Sequence, residues 1–121
     1  MPDRQRIVDA IEAYCRAETA KDRDGFLALF ADDVVHEDPV GIASCVRRGR
    51  EGVLALWQMV EAGDVTLRLT EPPIVRGDEA VALLASESGP PGQRRRIDRI
   101  VDLFRFDEAG LIVGVRAFYD F

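Results

Sequence analysis

Ile100-Val101-Asp102-Leu103-Phe104-Arg105-Phe106, then Asp107-Glu108-Ala109-Gly110, then Leu111-Ile112-Val113-Gly114-Val115-Arg116-Ala117 is the stretch that decides the fold class of this chain. Two alternating apolar runs on either side of an Asp- and Gly-containing turn read as a β-hairpin. The first strand spans about residues 94–106 and the second residues 111–121. With the two-residue period of a strand, Ile100, Asp102, Phe104 and Phe106 share one face of the first. Leu111, Val113, Val115, Ala117 and Tyr119 share one face of the second. Upstream, Gly89-Pro90-Pro91-Gly92 is a strong turn signal, and Arg76-Gly77-Asp78-Glu79 turns into a strand over 80–87. Val65, Leu67 and Leu69 alternate with polar residues in a further strand, which Pro72-Pro73 interrupts.

Before residue 63 the period is helical. Ile7, Ile11, Tyr14, Cys15 and Glu18 recur at helical spacing, so Tyr14 points to the interior side of an amphipathic helix. Asp22 is placed to cap a second, short helix carrying Phe26, Leu29 and Phe30. Val34-Val35-His36 reads as a short strand ending near Asp38-Pro39, because proline pushes its predecessor out of helical geometry. Residues 42–49 read as a loop, and Val53, Leu56, Trp57 and Val60 form the stripe of a third helix. Helices followed by hairpin-connected strands imply an α+β fold, with helices on one face of an antiparallel sheet. The 121 residues fit one domain, 1–121.

Composition narrows the partners. Forty-seven per cent hydrophobic and 31% charged residues describe an ordinary globular chain. A net charge of −6 disfavours nucleic acid and anionic membrane surfaces, both of which call for a basic face. A neutral, apolar small molecule fits this charge best. Two cysteines, Cys15 and Cys45, make no disulfide framework, and no metal-ligand spacing surrounds them. No signal-peptide pattern opens the chain and no apolar run is long enough to span a bilayer, so a reducing cytoplasm is the expected compartment.

The acidic residues carry the chemical interest. If the face with Ile100, Phe104 and Phe106 is the interior, Asp102 is a buried carboxyl that must be protonated or paired. If the strand is turned the other way, the core consists of Ile97, Val101 and Leu103, and Asp102 faces solvent. Asp38, in Glu37-Asp38-Pro39-Val40-Gly41, is either a turn aspartate capping backbone or a base at a strand end among apolar neighbours. Tyr14 and Trp57 each fit a core position as well as a site. His36, the single histidine, reads as structural or solvent-facing and has no metal partners.

The segment from Tyr14 to Gly41, opening on Tyr14 and closing on Asp38-Pro39-Val40-Gly41, closely resembles the bacterial Δ5-3-ketosteroid isomerases of the nuclear-transport-factor-2-like superfamily. Ile100 to Phe106, with the following turn and Val115-Arg116-Ala117, resembles that family's strand bearing a second catalytic acid, which falls on Asp102. The resemblance implies a cone-like α+β fold of three N-terminal helices packed on a curved, mostly antiparallel β-sheet, and a homodimer packed through the sheets. It implies Asp38 as general base, moving a proton from C4 to C6 of a 3-oxosteroid. Tyr14 and a neutral Asp102 would be hydrogen-bond donors to the C3 oxygen, with no cofactor and no metal. Phe30, Val40, Leu56, Trp57, Val65, Leu67, Phe104, Val115, Ala117 and Tyr119 are the expected substrate-binding wall. The chain departs from the family in several places. Trp57 stands where the family often has a tyrosine bonded to the oxyanion tyrosine, and the loop 42–48 is longer. Ser86-Glu87-Ser88 and Arg94-Arg95-Arg96 are more polar than usual. The alternatives are a polyketide cyclase or epoxide hydrolase on the same cone, or a non-catalytic binding module.

Overall fold

The computed structural model describes residues 1–120. Helix α1 (Arg4–Ala20) starts where the Asp3 carboxylate accepts the Arg6 N–H at 2.8 Å, a side-chain N-cap. It ends at Lys21, whose φ of 57° takes the chain out of the helix. Ile7, Ile11, Tyr14, Cys15 and Glu18 form its buried face, as their spacing predicts. Helix α2 (Arg23–Leu27) is capped by Asp22, which accepts the Gly25 N–H at 3.1 Å. It is shorter than its apolar stripe suggests. The Leu29 carbonyl accepts the N–H of Ile112, and Phe30 already pairs with a strand.

Strand β1 (Phe30–Glu37) is therefore longer than the Val34–His36 core that marks it in the sequence. The predicted loop after it holds a 3-10 turn (Ala43–Cys45) and strand β2 (Val46–Arg48), antiparallel to the end of β1. Helix α3 (Gly49–Ala62) buries Val53, Leu56, Trp57 and Val60. Strands β3 (Thr66–Leu69), β4 (Ile74–Arg76), β5 (Glu79–Ser88), β6 (Arg95–Phe106) and β7 (Ile112–Phe118) follow. Strands β3 and β4 lie one after the other along β5, separated by the Pro72-Pro73 break. Three residues are too few for β4 to show a period in the sequence. The last predicted strand stops at Phe118, and its expected end, Phe121, lies outside the described residues.

The seven strands form one sheet in the order β2-β1-β7-β6-β5-β3, with β4 beside β5. All pairings are antiparallel except β1 with β7, so the sheet is mixed. Helix α1 packs over β3 and β4, α3 over β1 and β2, and α2 touches both helices. The result is three helices on a curved, open sheet, the α+β cone.

Two bulges set which side chains face the helices. Between the pairs Leu84–Ile100 and Ser86–Ile97, β6 carries one residue more than β5, so Ile97 and Ile100 come to the same face despite their odd spacing. The two competing registers of the sequence are thus both partly realised: Ile97 joins Ile100, Asp102, Phe104 and Phe106 on the inside. Val101 and Leu103 are half-buried on the other face. Between Arg105–Gly114 and Phe106–Ile112, β7 carries the extra residue Val113. Ile112, rather than the expected Leu111 and Val113, therefore enters the core with Val115 and Ala117.

Phe26 is fully buried, with its ring 5.1–5.2 Å from the rings of Tyr14, Phe30 and Trp57. Phe26→Ala should lower stability by about 3–5 kcal/mol in a urea titration. A loss under about 1 kcal/mol would contradict this packing.

Candidate functional site

The inner face of the sheet and the helices enclose a cavity of about 300 Å³, the small end of the ligand-pocket range. In the sheet Asp102 pairs with Ala82 on β5 and with Ala117 on β7, both fully or nearly fully buried. Two residues further along β6, Phe104 pairs with Ala80 and Val115 in the core.

Three residues singled out in the sequence line this cavity together: Tyr14 from α1, Asp38 after β1 and Asp102 from β6. Asp102 is 4% exposed, and its Oδ1 has no hydrogen-bond partner. Burial, then the nearby Asp38 charge, holds its carboxyl well above the usual aspartate range. Its environment therefore favours the neutral form of Asp102, which carries a proton to donate. Tyr14 is 2% exposed, and burial first, then the neighbouring carboxyls, raises its phenol. It too stays protonated.

Asp38 is held differently. The Asp38–Pro39 peptide is cis, the Asp38 N–H bonds the Cys45 carbonyl at 3.2 Å, and the Val40 N–H bonds the Ala117 carbonyl at 2.9 Å. These bonds fix the turn on the end of β7. The Tyr119 hydroxyl donates to Asp38 Oδ1 at 2.6 Å, the short distance of a bond to a charged acceptor. Tyr119, expected as wall, is thus also the partner of the carboxylate.

Among the other expected wall residues, Leu56, Val65 and Leu67 line the cavity. Trp57, Phe104, Val115 and Ala117 do not; they are buried in the packing around it. Trp57 packs at a tilt against Phe26, and its indole N–H meets no partner among the described residues. Phe30 borders a separate depression next to Arg50 and Val53. Val40 lies with Pro39 and Phe118 on a different surface, because its N–H is tied to β7.

Two residues matter more here than their sequence reading suggests. His36, read as structural or solvent-facing, is fully buried, and its Nε2 lies 2.9 Å from the Tyr14 hydroxyl. Burial lowers the imidazole to about 4, so it is neutral at physiological pH. The partner of Tyr14 is therefore His36 and not the residue at position 57. The signal was available: His36 is two residues from Asp38 and follows Val34 at the strand period, so it points inward. Glu18 also lines the cavity at 5% exposure, one helical turn beyond Tyr14. Its spacing put it on the buried face, but nothing in the sequence told what a glutamate would meet there. Among the described residues no three His, Cys, Asp or Glu side chains gather in a metal-holding arrangement. No helix is long and apolar enough to cross a membrane.

Comparison with known proteins follows this geometry. A family model for the SnoaL-like domain matches residues 11–115. Epoxide hydrolase LasB of Streptomyces lasalocidi is 31% identical over 110 residues, 88% of this chain but 38% of that protein, so the chain spans about two fifths of that relative. The structure of RV0760c from Mycobacterium tuberculosis in complex with estradiol-17β-hemisuccinate is similar, with a TM-score of 0.86 and 31% identity over 95% of this chain and 94% of that one. The Δ5-3-ketosteroid isomerase from Mycobacterium sp. gives 0.83 and 29% over 95% and 93%. The fold is shared by a ketosteroid isomerase and by epoxide hydrolase-like enzymes, and this chain belongs to the SnoaL-like domain family.

Proposed function

We propose that the chain is a steroid Δ-isomerase that converts 3-oxo-Δ5-steroids to conjugated Δ4 ketones. The observation that carries this reading is the joint placement of Asp38, Tyr14 and an unpartnered, neutral Asp102 on one largely apolar cavity. A base beside two neutral donors suits a reaction that makes an oxyanion a few bonds from the proton it removes. The Asp38 carboxylate takes a proton from C4. The electrons move into the C4–C3 bond and onto the C3 oxygen, giving a dienolate. Tyr14 and Asp102 donate hydrogen bonds to that oxygen. The proton on Asp38 then goes to C6, the oxygen returns to a carbonyl, and the double bond ends at C4–C5. One carboxylate serves both transfers, and no group is consumed.

Tyr14 has one proton to give. If that proton goes to the steroid oxygen, the His36 Nε2 at 2.9 Å carries the hydrogen and donates to the phenol oxygen. This leaves His36 Nδ1 as the bare nitrogen, in keeping with its lack of a partner. His36 is then a positioning residue that makes Tyr14 a better donor, the part a tyrosine plays in the resembling family. The Tyr119 hydroxyl orients the Asp38 carboxylate in the same way. The homodimer implied by the resemblance belongs to this reading too. The sheet face away from the helices offers half-buried Val101, Leu103 and Phe118 for it.

Likeness to LasB favours a second reading, in which the same Asp38 carboxylate acts on an epoxide. The two readings separate on one assay. Mixing the protein with 5-androstene-3,17-dione should raise the ultraviolet band of the conjugated enone. Asp38→Asn should lower that rate by about 10²–10⁴-fold. Asp102→Leu should cost about 10²–10³-fold and Asp102→Asn, which keeps a neutral donor, much less. A flat trace with the wild-type protein would contradict the isomerase reading.

The histidine has its own signature. His36→Val should lower kcat about tenfold with KM little changed, and His36→Gln, which can still donate, should recover part of the loss. Because burial holds His36 near 4, kcat should show no histidine titration between about pH 5 and 8. A limb near the ordinary histidine value, or equal losses in both variants, would contradict this role.

A further inference from the structure

We propose that Glu18 is a specificity-determining residue that hydrogen-bonds a second oxygen of the ligand, so that the preferred steroid carries a hydroxyl group where its skeleton lies along α1. This rests on the isomerase reading and concerns a part of the cavity that the proton transfer itself does not use.

The position of Glu18 follows from the helix. Residues four apart on α1 share a face, so Glu18 projects into the cavity next to Tyr14. Val65, Leu67 of β3, and Leu56 and Val60 of α3 line the same cavity, together with the polar side chains of Arg47, Ser86, Ser88 and Arg95. Glu18 is 5% exposed, yet its carboxyl makes no hydrogen bond or ion pair with any described residue. Lys21, three residues further on, does not serve it. The Lys21 ammonium donates to the backbone carbonyls of Glu18 at 2.9 Å and Val65 at 2.6 Å, and pairs with Asp64 at 3.2 Å.

A buried polar group without a partner destabilises the free protein, and a valine or leucine at this position would not. The groups that face it reinforce its neutral state. Burial is the main cause that raises the Glu18 carboxyl well above the usual range, with the neighbouring Asp102 and Asp38 carboxyls adding to it and Lys21 acting in the opposite sense. A neutral carboxyl offers one donor and further acceptor capacity, which matches a hydroxyl group, itself donor and acceptor. A site built to bond a substrate hydroxyl rejects the analogue that lacks it, since its own polar group is then left unpaired. A plain hydrocarbon edge against Glu18 leaves that mismatch in place.

The test measures equilibrium binding of testosterone and its 2-, 6-, 7-, 11- and 16-hydroxylated derivatives to the wild-type protein, Glu18→Leu and Glu18→Gln. Thermal melting of each variant confirms folding. At least one hydroxylated derivative should bind the wild type about tenfold or more tighter than testosterone does. Glu18→Leu should abolish that preference and tighten testosterone, and Glu18→Gln, which keeps a donor and an acceptor, should retain part of it. A preference that survives in Glu18→Leu, or its absence in the wild type while testosterone still binds, would overturn the role of Glu18 and leave the steroid reading standing. Failure of every steroid to bind any folded form would overturn both.

Discussion

A carboxyl group placed in an apolar wall with nothing to pair with is the constraint on which this structure depends. Asp102 sits between Ala82 and Ala117 in the sheet, and its carboxyl lines the cavity. An ionised carboxylate in that setting would carry a penalty of several kcal/mol, so the proton stays. The same burial turns an ordinary acid into a hydrogen-bond donor. Placement of the carboxyl in turn relies on the bulge near Asp98 and Arg99, which brings Ile97 and Ile100 to the inner face and curves the sheet around the cavity. Fold and chemistry thus rest on the same few residues of β6.

Around that acid the protein separates three carboxyls by environment. Asp38 has the Tyr119 hydroxyl at 2.6 Å and lies at a strand end. Burial, then the Asp38 charge, pushes Asp102 toward the neutral form, and burial, then the Asp102 and Asp38 carboxyls, does the same for Glu18. In the proposed reaction this division makes Asp38 the base and leaves Asp102 and Glu18 as hydrogen-bond donors. The Tyr14–His36 pair extends it: a buried, neutral imidazole bonds the phenol without adding charge to the cavity. SnoaL-like relatives with other activities share the cone, so the residues lining the cavity, and not the fold, separate one activity from another.

Much of this was legible in the sequence because local periodicity and turn chemistry agree with the final packing. The stripe of α1, the Asp22 cap and the stripe of α3 all appear where their spacing puts them. What the period could not show was where it breaks. Val113 bulges out of β7 and hands its inner position to Ile112, a change fixed by pairing with β6 across the sheet. Phe30 left its helical stripe for the same reason, since β7 captured its backbone. For the site, Tyr14, Asp38 and Asp102 could be named from spacing and resemblance. The wall could be named only in part, because whether Trp57 or Phe104 faces the cavity or the core depends on how helix and sheet meet. His36 and Glu18 carried the right period, but their partners, a phenol in one case and empty cavity in the other, are tertiary facts.

The protonation state of Asp102 is the most direct measurement of the central claim. Carbon-13 labelled aspartate, observed by NMR in the wild-type protein and in Asp102→Asn, isolates the Asp102 carboxyl signal through a pH titration. A carboxyl that remains protonated through neutral pH, well above the ordinary aspartate range, is the predicted result. A signal that titrates in the ordinary range near 4 in the folded protein would contradict it. Asp102 would then be an anion, and the proposed oxyanion site would lose its second donor.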